Sequence, residues 1–384
     1  MKVCVITGTR AEYGLLYWVI KALDADKNIE LQLLVTGMHL SEEFGLTYKN
    51  IEKDGFRITK KIDCHLDSDS PVGISNSMAV ALIGFAKAFE ELKPELIIVL
   101  GDRFEIFSAV SAAMIARIPV AHCHGGEATE GLIDEPIRHS ITKMSHLHFA
   151  ATEEFRSRII QLGEDPKNVF NVGALGIESI NRLKLMSREE LEASMAFQFS
   201  KRNVLVTFHP VTLENCTAEV QFKELLNSLS ELKETNIIFT KANADTDGRI
   251  INTLIDDYVI GHKNAIAFAS LGQLRYLSAL KYVDVVVGNS SSGLIEAPSF
   301  KVPTVNIGDR QKGRIKAESV IDCEPNYESI TSAIQLAFSS EFKNKIKDLV
   351  NPYGTINASE RIVELIKATN LKGILKKSFY NISF

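Results

Sequence analysis

Residues 121–150, AHCHGGEATEGLIDEPIRHSITKMSHLHFA, carry five of the chain's nine histidines and four carboxylates, Glu127, Glu130, Asp134 and Glu135. Side chains of these types serve two chemistries, metal ligation and acid–base catalysis. A metal site calls for spaced histidines with a third ligand in reach. His122 and His124 form a His-x-His pair, but they lie in an extended apolar run, where successive side chains point to opposite faces. His146 and His148 repeat the pattern at the start of the next apolar run and read as structural. No His-Glu-x-x-His or Asp-x-Asp cluster accompanies them, so neither a metal nor a cofactor is expected. Acid–base work fits better. His124, Glu127, Asp134 and Glu135 flank one loop, with Arg138 and His139 following on a helix. A plainer role for Asp134 and Glu135 is to complement the helix dipole in its first turn.

The same residue types recur wherever an apolar run ends. These ends bring Gly8, Arg10 and Glu12; Gly37 and His39; Asp102, Arg103 and Glu105; and His122, His124 and Glu127. Further on come His209, Asn243 with Asp245, Ser290 to Ser292 with Glu296, and Arg310 with Arg314. Glycine followed by polar residues on a connecting loop is the pattern of a ligand site. GTRAEYG lacks both the Gly-x-Gly-x-x-Gly fingerprint and a Walker lysine. GNSSSGLIE is more specific: small residues let backbone amides approach an anion, and the helix that follows offers its positive end. A diphosphate there would leave Glu296 one turn in, placed to accept from ribose hydroxyls. The alternative is an ordinary serine N-cap.

These residues need a scaffold that gathers loop ends. Short, wholly apolar runs (KVCVITG, LQLLVTG, LIIVLGD, PVAHCHGG, LHFAAT) alternate with stretches of helical period, the signature of a parallel sheet covered on both faces. After VFNVGALGIESI the alternation restarts with NVLVTFHP, NIIFTKAN, VVVGNSS and PTVNIG. The expectation is an α/β protein of two doubly wound domains, residues 1–172 and 173–357, with a C-terminal helix at about 358–384 packing back on the first. Ligands of open α/β sheets sit beyond the carboxyl ends of the strands, which puts the site in a cleft between the two domains. The 384 residues suffice for two cores, and a net charge of −5 offers no basic excess for nucleic acid. Five scattered cysteines without a Cys-x-x-Cys pair read as reduced thiols. The opening MKVCVITGTR is too short an apolar run for a secretory signal, and no run approaches a membrane span, so a cytoplasmic protein with no membrane partner is expected.

Taken together, TGTRAEYG, VTGMHLSEEFG, LGDRFEIF, HCHGGE, DEPIRHSITKMSHLHF, VGALGIE, FHPVT, NADTDGR, GNSSSGLIEAPSF and NIGDRQKGR resemble the hydrolysing nucleotide-sugar 2-epimerases, which belong with the UDP-N-acetylglucosamine 2-epimerases. The resemblance spans roughly residues 1–365. It implies two facing Rossmann-like domains of glycosyltransferase-B type and a homodimer. The implied partner is a nucleotide-activated amino sugar, handled without metal or nicotinamide. It further implies Asp102, His124, Glu127 and Asp134 as acid–base candidates. Carboxylates sharing one pocket push their pKa values apart and so supply an acid and a base at one pH. Arg10 and His209 would grip the diphosphate, helped by Ser290 and Ser291; His209 is also counted among the catalytic residues, and Arg310 among those that bind substrate or nucleotide. Glu296 would hold ribose, the Tyr276 region would flank the base, and Asn243 would stand at the cleft edge. The stretches MHLSEEFGLTYKNIEKDGF and SDSPVGISNSM lean towards the branch acting on GDP- or UDP-N,N'-diacetylbacillosamine for legionaminic acid. A branch turning UDP-N-acetylglucosamine into N-acetylmannosamine for sialic acid is the alternative, and a retaining glycosyltransferase a remoter one. Two positions depart from the non-hydrolysing relatives, which carry proline where Ala11 stands and a carboxylate where His124 stands.

Overall fold

The computed structural model describes residues 1–130, 132–211, 217–242, 248–354 and 357–382. The chain forms two compact units. The first comprises Met1–Glu127, Ile133–Ser179 and Thr355–Phe384, and the second comprises Ala128–Leu132 and Ile180–Gly354.

The first unit is built on seven parallel strands: β1 (Lys2–Thr7), β2 (Glu30–Thr36), β3 (Lys60–Ile62), β4 (Leu96–Leu100), β5 (Val120–Cys123), β6 (Leu147–Ala150) and β7 (Val169–Asn171). Their order is β3-β2-β1-β4-β5-β6-β7. Strand alternation explains why β1 is apolar from Val3 to Ile6. Val3 and Val5 enter one core, while Cys4 and Ile6 enter the other, on the opposite face. Helices cover both faces. Arg10–Ala25 begins with a capping box, in which Thr9 Oγ1 accepts from Glu12 N and Glu12 reaches back to Thr9 N. Pro71–Leu92 begins with Ser70 as its cap and proline in its first turn.

The second unit repeats the plan with β8 (Arg202–Thr207), β9 (Thr235–Thr240), β10 (Ala265–Phe268), β11 (Val285–Gly288), β12 (Thr304–Ile307) and β13 (Val320–Cys323). Their order is β10-β9-β8-β11-β12-β13, again all parallel. Val204 and Val206 face one core, and Leu205 faces the other.

In each sheet the chain winds outward one way and then restarts from the middle the other way. The switch falls between β1 and β4 in the first unit and between β8 and β11 in the second. Ligands of doubly wound sheets bind at such switch points, beyond the strands' carboxyl ends. The loops there start at Gly8 and Gly101 in the first unit, and at Phe208 and Asn289 in the second.

Several expectations need correction. The first unit runs past 172 to Ser179, because Leu175 packs in its core and Glu178 is fully buried there. Residues 128–132 group with the second unit, where Glu130 N donates to Lys312 O at 3.3 Å. The C-terminal helix is Ala358–Ala368 rather than 358–384. A turn at Gly373 (φ 80°) follows, and the segment beyond it is held by Lys377 to Glu164 at 2.7 Å and by Tyr380 N to Gly163 O at 2.9 Å. Finally, the 22-residue helix Pro71–Leu92, with a mean hydropathy of 1.5, is long and apolar enough to cross a membrane, contrary to the reading of the sequence. Its inner face (Ile74, Ala81, Phe85, Ala88, Phe89) packs on the sheet. Its interspersed Ser, Asn and Gly hid the length of the run.

Candidate active site

In the first unit, three neighbouring strands, β1, β4 and β5, deliver Arg10, Asp102 and His124 to one edge of the sheet. The centre of this edge is Arg138, on the helix Asp134–Met144 and 1% exposed. Its Nη2 donates to Asp102 Oδ2, and its Nη1 donates to Glu135 Oε2 at 2.7 Å and to the Glu127 carbonyl at 2.9 Å. Burial works against the guanidinium's charge, but Asp102, Glu127 and Glu135 outweigh it and raise its pKa further. Arg138 therefore stays a fixed cation around which the carboxylates are ordered.

His124 and Glu127 form a second, deeper pair. His124 sits in the left-handed region at φ 62°, where its amide donates to Phe149 O at 2.9 Å. Its Nδ1 lies 2.7 Å from Glu127 Oε1, and its Nε2 accepts from Leu175 N at 3.3 Å. An acceptor at Nε2 fixes the tautomer, so Nδ1 carries the hydrogen and donates to Glu127. In this arrangement the ring orients the Glu127 carboxyl. Asp134 opens the helix that carries Glu135 and Arg138.

The other histidine of the pair, His122, points the opposite way, as strand alternation requires. Its Nε2 donates to Gly101 O at 2.8 Å, and burial lowers its pKa to about 3. Val120 N donates to His146 Nδ1, and His148 Nε2 pairs with Glu164. Among the described residues no three His, Cys, Asp or Glu side chains are grouped to hold a metal ion.

The second unit uses different chemistry. Gly288 (φ 137°) ends β11 so close to β8 that a Cβ would stand 1.9 Å from Thr207 O. Only glycine fits there, and the turn it makes brings Asn289 against the loop after β8. His209 N donates to Asn289 Oδ1 at 2.7 Å, and Asn289 Nδ2 donates to His209 O at 2.8 Å. Arg310 Nη1 and Gln311 Nε2 both donate to Asn289 O, at 3.1 and 2.8 Å. Asn289 thus ties together the loops of His209, Ser290 and Arg310. Ser290 caps the short helix Ser291–Ile295 by accepting from Ser292 N. Ser292 Oγ donates to Tyr276 OH at 2.6 Å, and burial together with nearby Glu296 raises the tyrosine's pKa. Asn243 lies outside the described residues.

The sequence reading named Glu12, Arg103, Glu105 and Arg138 among the polar residues near strand ends but gave them no role at the site, and it did not single out Asn289. Arg138 was signalled by its place three residues after Glu135, one helical turn away. Asn289 stands between two residues that were noted, and an amide there can pair both ways with a facing backbone.

The profile of the family described as UDP-N-acetylglucosamine 2-epimerase matches residues 21–367. The chain is 43% identical to the GDP/UDP-N,N'-diacetylbacillosamine 2-epimerase (hydrolyzing) of Campylobacter jejuni, over 99% of each chain. It is 42% identical to a polysialic acid biosynthesis protein of Escherichia coli, over 99% of this chain and 97% of that one. Its fold matches the crystal structure of UDP-GlcNAc 2-epimerase from Neisseria meningitidis bound to UDP-GlcNAc, with a TM-score of 0.81 and 20% identity over 96% of this chain and 100% of that one. That identity speaks for the fold, while the family match and the closer relatives speak for kinship. With its profile matched over residues 21–367 and relatives 43% and 42% identical over nearly their whole length, the chain belongs to the UDP-N-acetylglucosamine 2-epimerase family.

Proposed function

We propose that the protein is a hydrolysing 2-epimerase. It eliminates a nucleoside diphosphate from a nucleotide-activated 2-acetamido sugar and hydrates the resulting glycal to the free 2-epimer. The observation that carries this reading is the carboxylate array around buried Arg138, with Asp102 at its open side and the Glu127–His124 couple beneath. Carbon 2 of the sugar is not acidic in the ground state. Its proton becomes labile as the diphosphate leaves carbon 1 and positive charge builds on the ring. A base takes that proton as the carbon–oxygen bond to the diphosphate breaks. Water then adds its oxygen to carbon 1, and a proton returns to carbon 2 on the other face. Inversion therefore needs two proton positions. The Asp102 side chain is 21% exposed and that of Glu127 only 4%. Asp102 is assigned the proton leaving carbon 2, and Glu127, oriented by His124, the proton that returns. Asp134 borders the same loop. Arg10, His209, Ser290, Ser291 and Arg310 hold the diphosphate, Glu296 the ribose, and the Tyr276 region flanks the base.

The substrate we favour is GDP- or UDP-N,N'-diacetylbacillosamine, giving 2,4-diacetamido-2,4,6-trideoxymannose for legionaminic acid. Support comes from the hydrolysing Campylobacter relative. UDP-N-acetylglucosamine, leading to N-acetylmannosamine for sialic acid, is the second reading, favoured by the polysialic acid relative. The protein is read as cytoplasmic and homodimeric. The helix Pro71–Leu92 exposes Val72, Leu82 and Ile83, and the helix Phe104–Ala116, which packs beside it, exposes Met114 and Ile115, apolar surface suited to a second copy of the chain.

Proton NMR in heavy water tests the chemistry, with the three nucleotide sugars side by side. A free manno-configured sugar with deuterium at carbon 2 is expected, and turnover of none of them overturns the reading. Asp102→Asn should slow nucleoside diphosphate release by about 10²–10⁴-fold. Glu127→Gln should release diphosphate while the 2-acetamidoglycal accumulates. Release near the wild-type rate in Asp102→Asn removes Asp102 from the chemistry.

A further inference from the structure

The first unit holds a second group of buried ions that the proposed chemistry does not use. Glu105 is fully buried on the helix Phe104–Ala116, and its Oε1 accepts from Arg103 Nε at 2.7 Å. Its carboxyl lies against the turn after β1. A Cβ on Gly8 would stand 2.5 Å from Glu105 Oε1, and one on Gly37 would stand 3.0 Å from it, so both turns leave room for this side chain. Glu12 approaches the same turn from the helix Arg10–Ala25. Its Oε2 accepts from Gly8 N at 2.7 Å and from Thr9 N at 3.3 Å.

Each carboxyl keeps one oxygen that no hydrogen bond reaches, Glu12 Oε1 and Glu105 Oε2. Two buried carboxyls therefore meet at Gly8 with one arginine between them. Two anions against one cation, out of water, leave an uncompensated charge that costs several kcal/mol, about the scale of burying one ion. A single proton removes it, and the bare oxygens are where a proton can reside.

We propose that Glu12, buried against Glu105 under the Thr7–Arg10 turn, carries a proton there, and that this proton, with Arg103, sets the start of the helix that Arg10 opens and so positions Arg10. The three are positioning residues, and their link to catalysis rests on the assignment of Arg10 to the diphosphate. An ordinary capping-box glutamate is solvated and ionised, whereas this one is sealed beside another carboxyl. The other charged or titratable groups facing the cluster are few. Arg10 shares the helix with Glu12. His39, on the turn after β2, is bonded to Thr7 and Thr47, and burial lowers its pKa to about 4, so it stays neutral. Cys64, with Asp63 beside it, is pushed up to about 12 by burial and then by Glu105, so it too stays neutral. Burial, and then Glu105, push Glu12 up to about 8, against Arg103 and the Gly8 and Thr9 amides.

The folded chain keeps this proton up to about pH 8, while the unfolded chain releases it at the ordinary 4.5. The stability it contributes is therefore full below pH 4.5 and is lost as the pH rises through 8.

Two measurements on the full chain test the proposal, with Glu12→Gln and Glu105→Gln as variants. In the first, melting temperature is followed from pH 5 to pH 9. The wild type should lose stability relative to both variants as the pH rises. A difference that does not change with pH overturns the Glu12 proton, whatever the enzyme turns over. In the second, KM for the nucleotide sugar is followed over the same range. In the wild type it should rise about tenfold per pH unit above 8, the slope of one proton, with kcat little changed. In both variants it should be flat. A KM limb that survives in both variants, or is absent from the wild type, overturns the link to Arg10. Failure to turn over any nucleotide sugar sinks the functional reading instead, and the melting series then decides the Glu12 proton alone.

Discussion

The two units share a plan and differ in what they bury. Among the described residues, every buried carboxylate and arginine belongs to the first: Glu12, Arg103, Glu105, Glu127, Arg138, Glu164 and Glu178. The buried polar side chains of the second are hydroxyls, amides and His209. A buried ion is costly unless paired, so a fold retains several only where they compensate one another. Arg138 with its carboxylates, and Arg103 with Glu105, are such sets. Moving a proton requires groups that change charge, and the first unit concentrates them. Holding an anion requires only fixed dipoles, which amides and hydroxyls supply without the expense of a buried charge. On the proposed function, one architecture would thus serve two tasks through the polarity of its strand ends.

This contrast can be broken by substitution. Arg138→Leu should have the largest effect, lowering the free energy of unfolding by about 3–5 kcal/mol in urea titrations, because Asp102 and Glu135 lose their shared cation. A small loss would mean that the first unit's charges stand independently. Asn289→Ala should cost about 1–3 kcal/mol by stranding the His209 amide and the Gln311 side chain. In steady-state kinetics it should raise KM while sparing kcat. A fall in kcat at unchanged KM would place chemistry in the second unit and dissolve the distinction. Ser290→Ala should be mildest, about 1 kcal/mol in the same titrations, the worth of one helix cap.

The sequence announced the inner strands and not the outer ones. β4 and β11 are almost wholly apolar, and β1 and β8 are apolar through their middles (Val3–Ile6 and Val204–Val206), because both faces are covered, and such runs are visible without a structure. β3 (KKI), β10 (AIAF) and β13 (VIDC) went unread. All three are sheet edges, short and half-exposed, and the lysines of β3 are what an edge uses to discourage pairing. The site divides similarly. Asp102, His124, Glu127, His209, Ser290 and Arg310 were marked because loops after strands concentrate polar residues. The orienting role of His124 could not be read, since it depends on the amide of Leu175, 51 residues away. The Glu12–Glu105 meeting depends equally on β1 lying beside β4, a fact of topology rather than of spacing.

The helix Ala358–Ala368 has a consequence for how the protein is made. Ala358, Ile362, Val363 and Ile366 belong to the same core as Val3, Leu16 and Val19, and Glu178 grips the helix start through Ser359 N and Oγ at 2.8 and 2.6 Å. During synthesis the first unit emerges first, but this wall of its core is translated only after residues 180–354, which form nearly all of the second unit. At about 5–20 residues per second, the wait lasts some tens of seconds or less. The nascent first unit must hold an unsealed apolar face through that interval, so the domain begun first on the ribosome is the last to close.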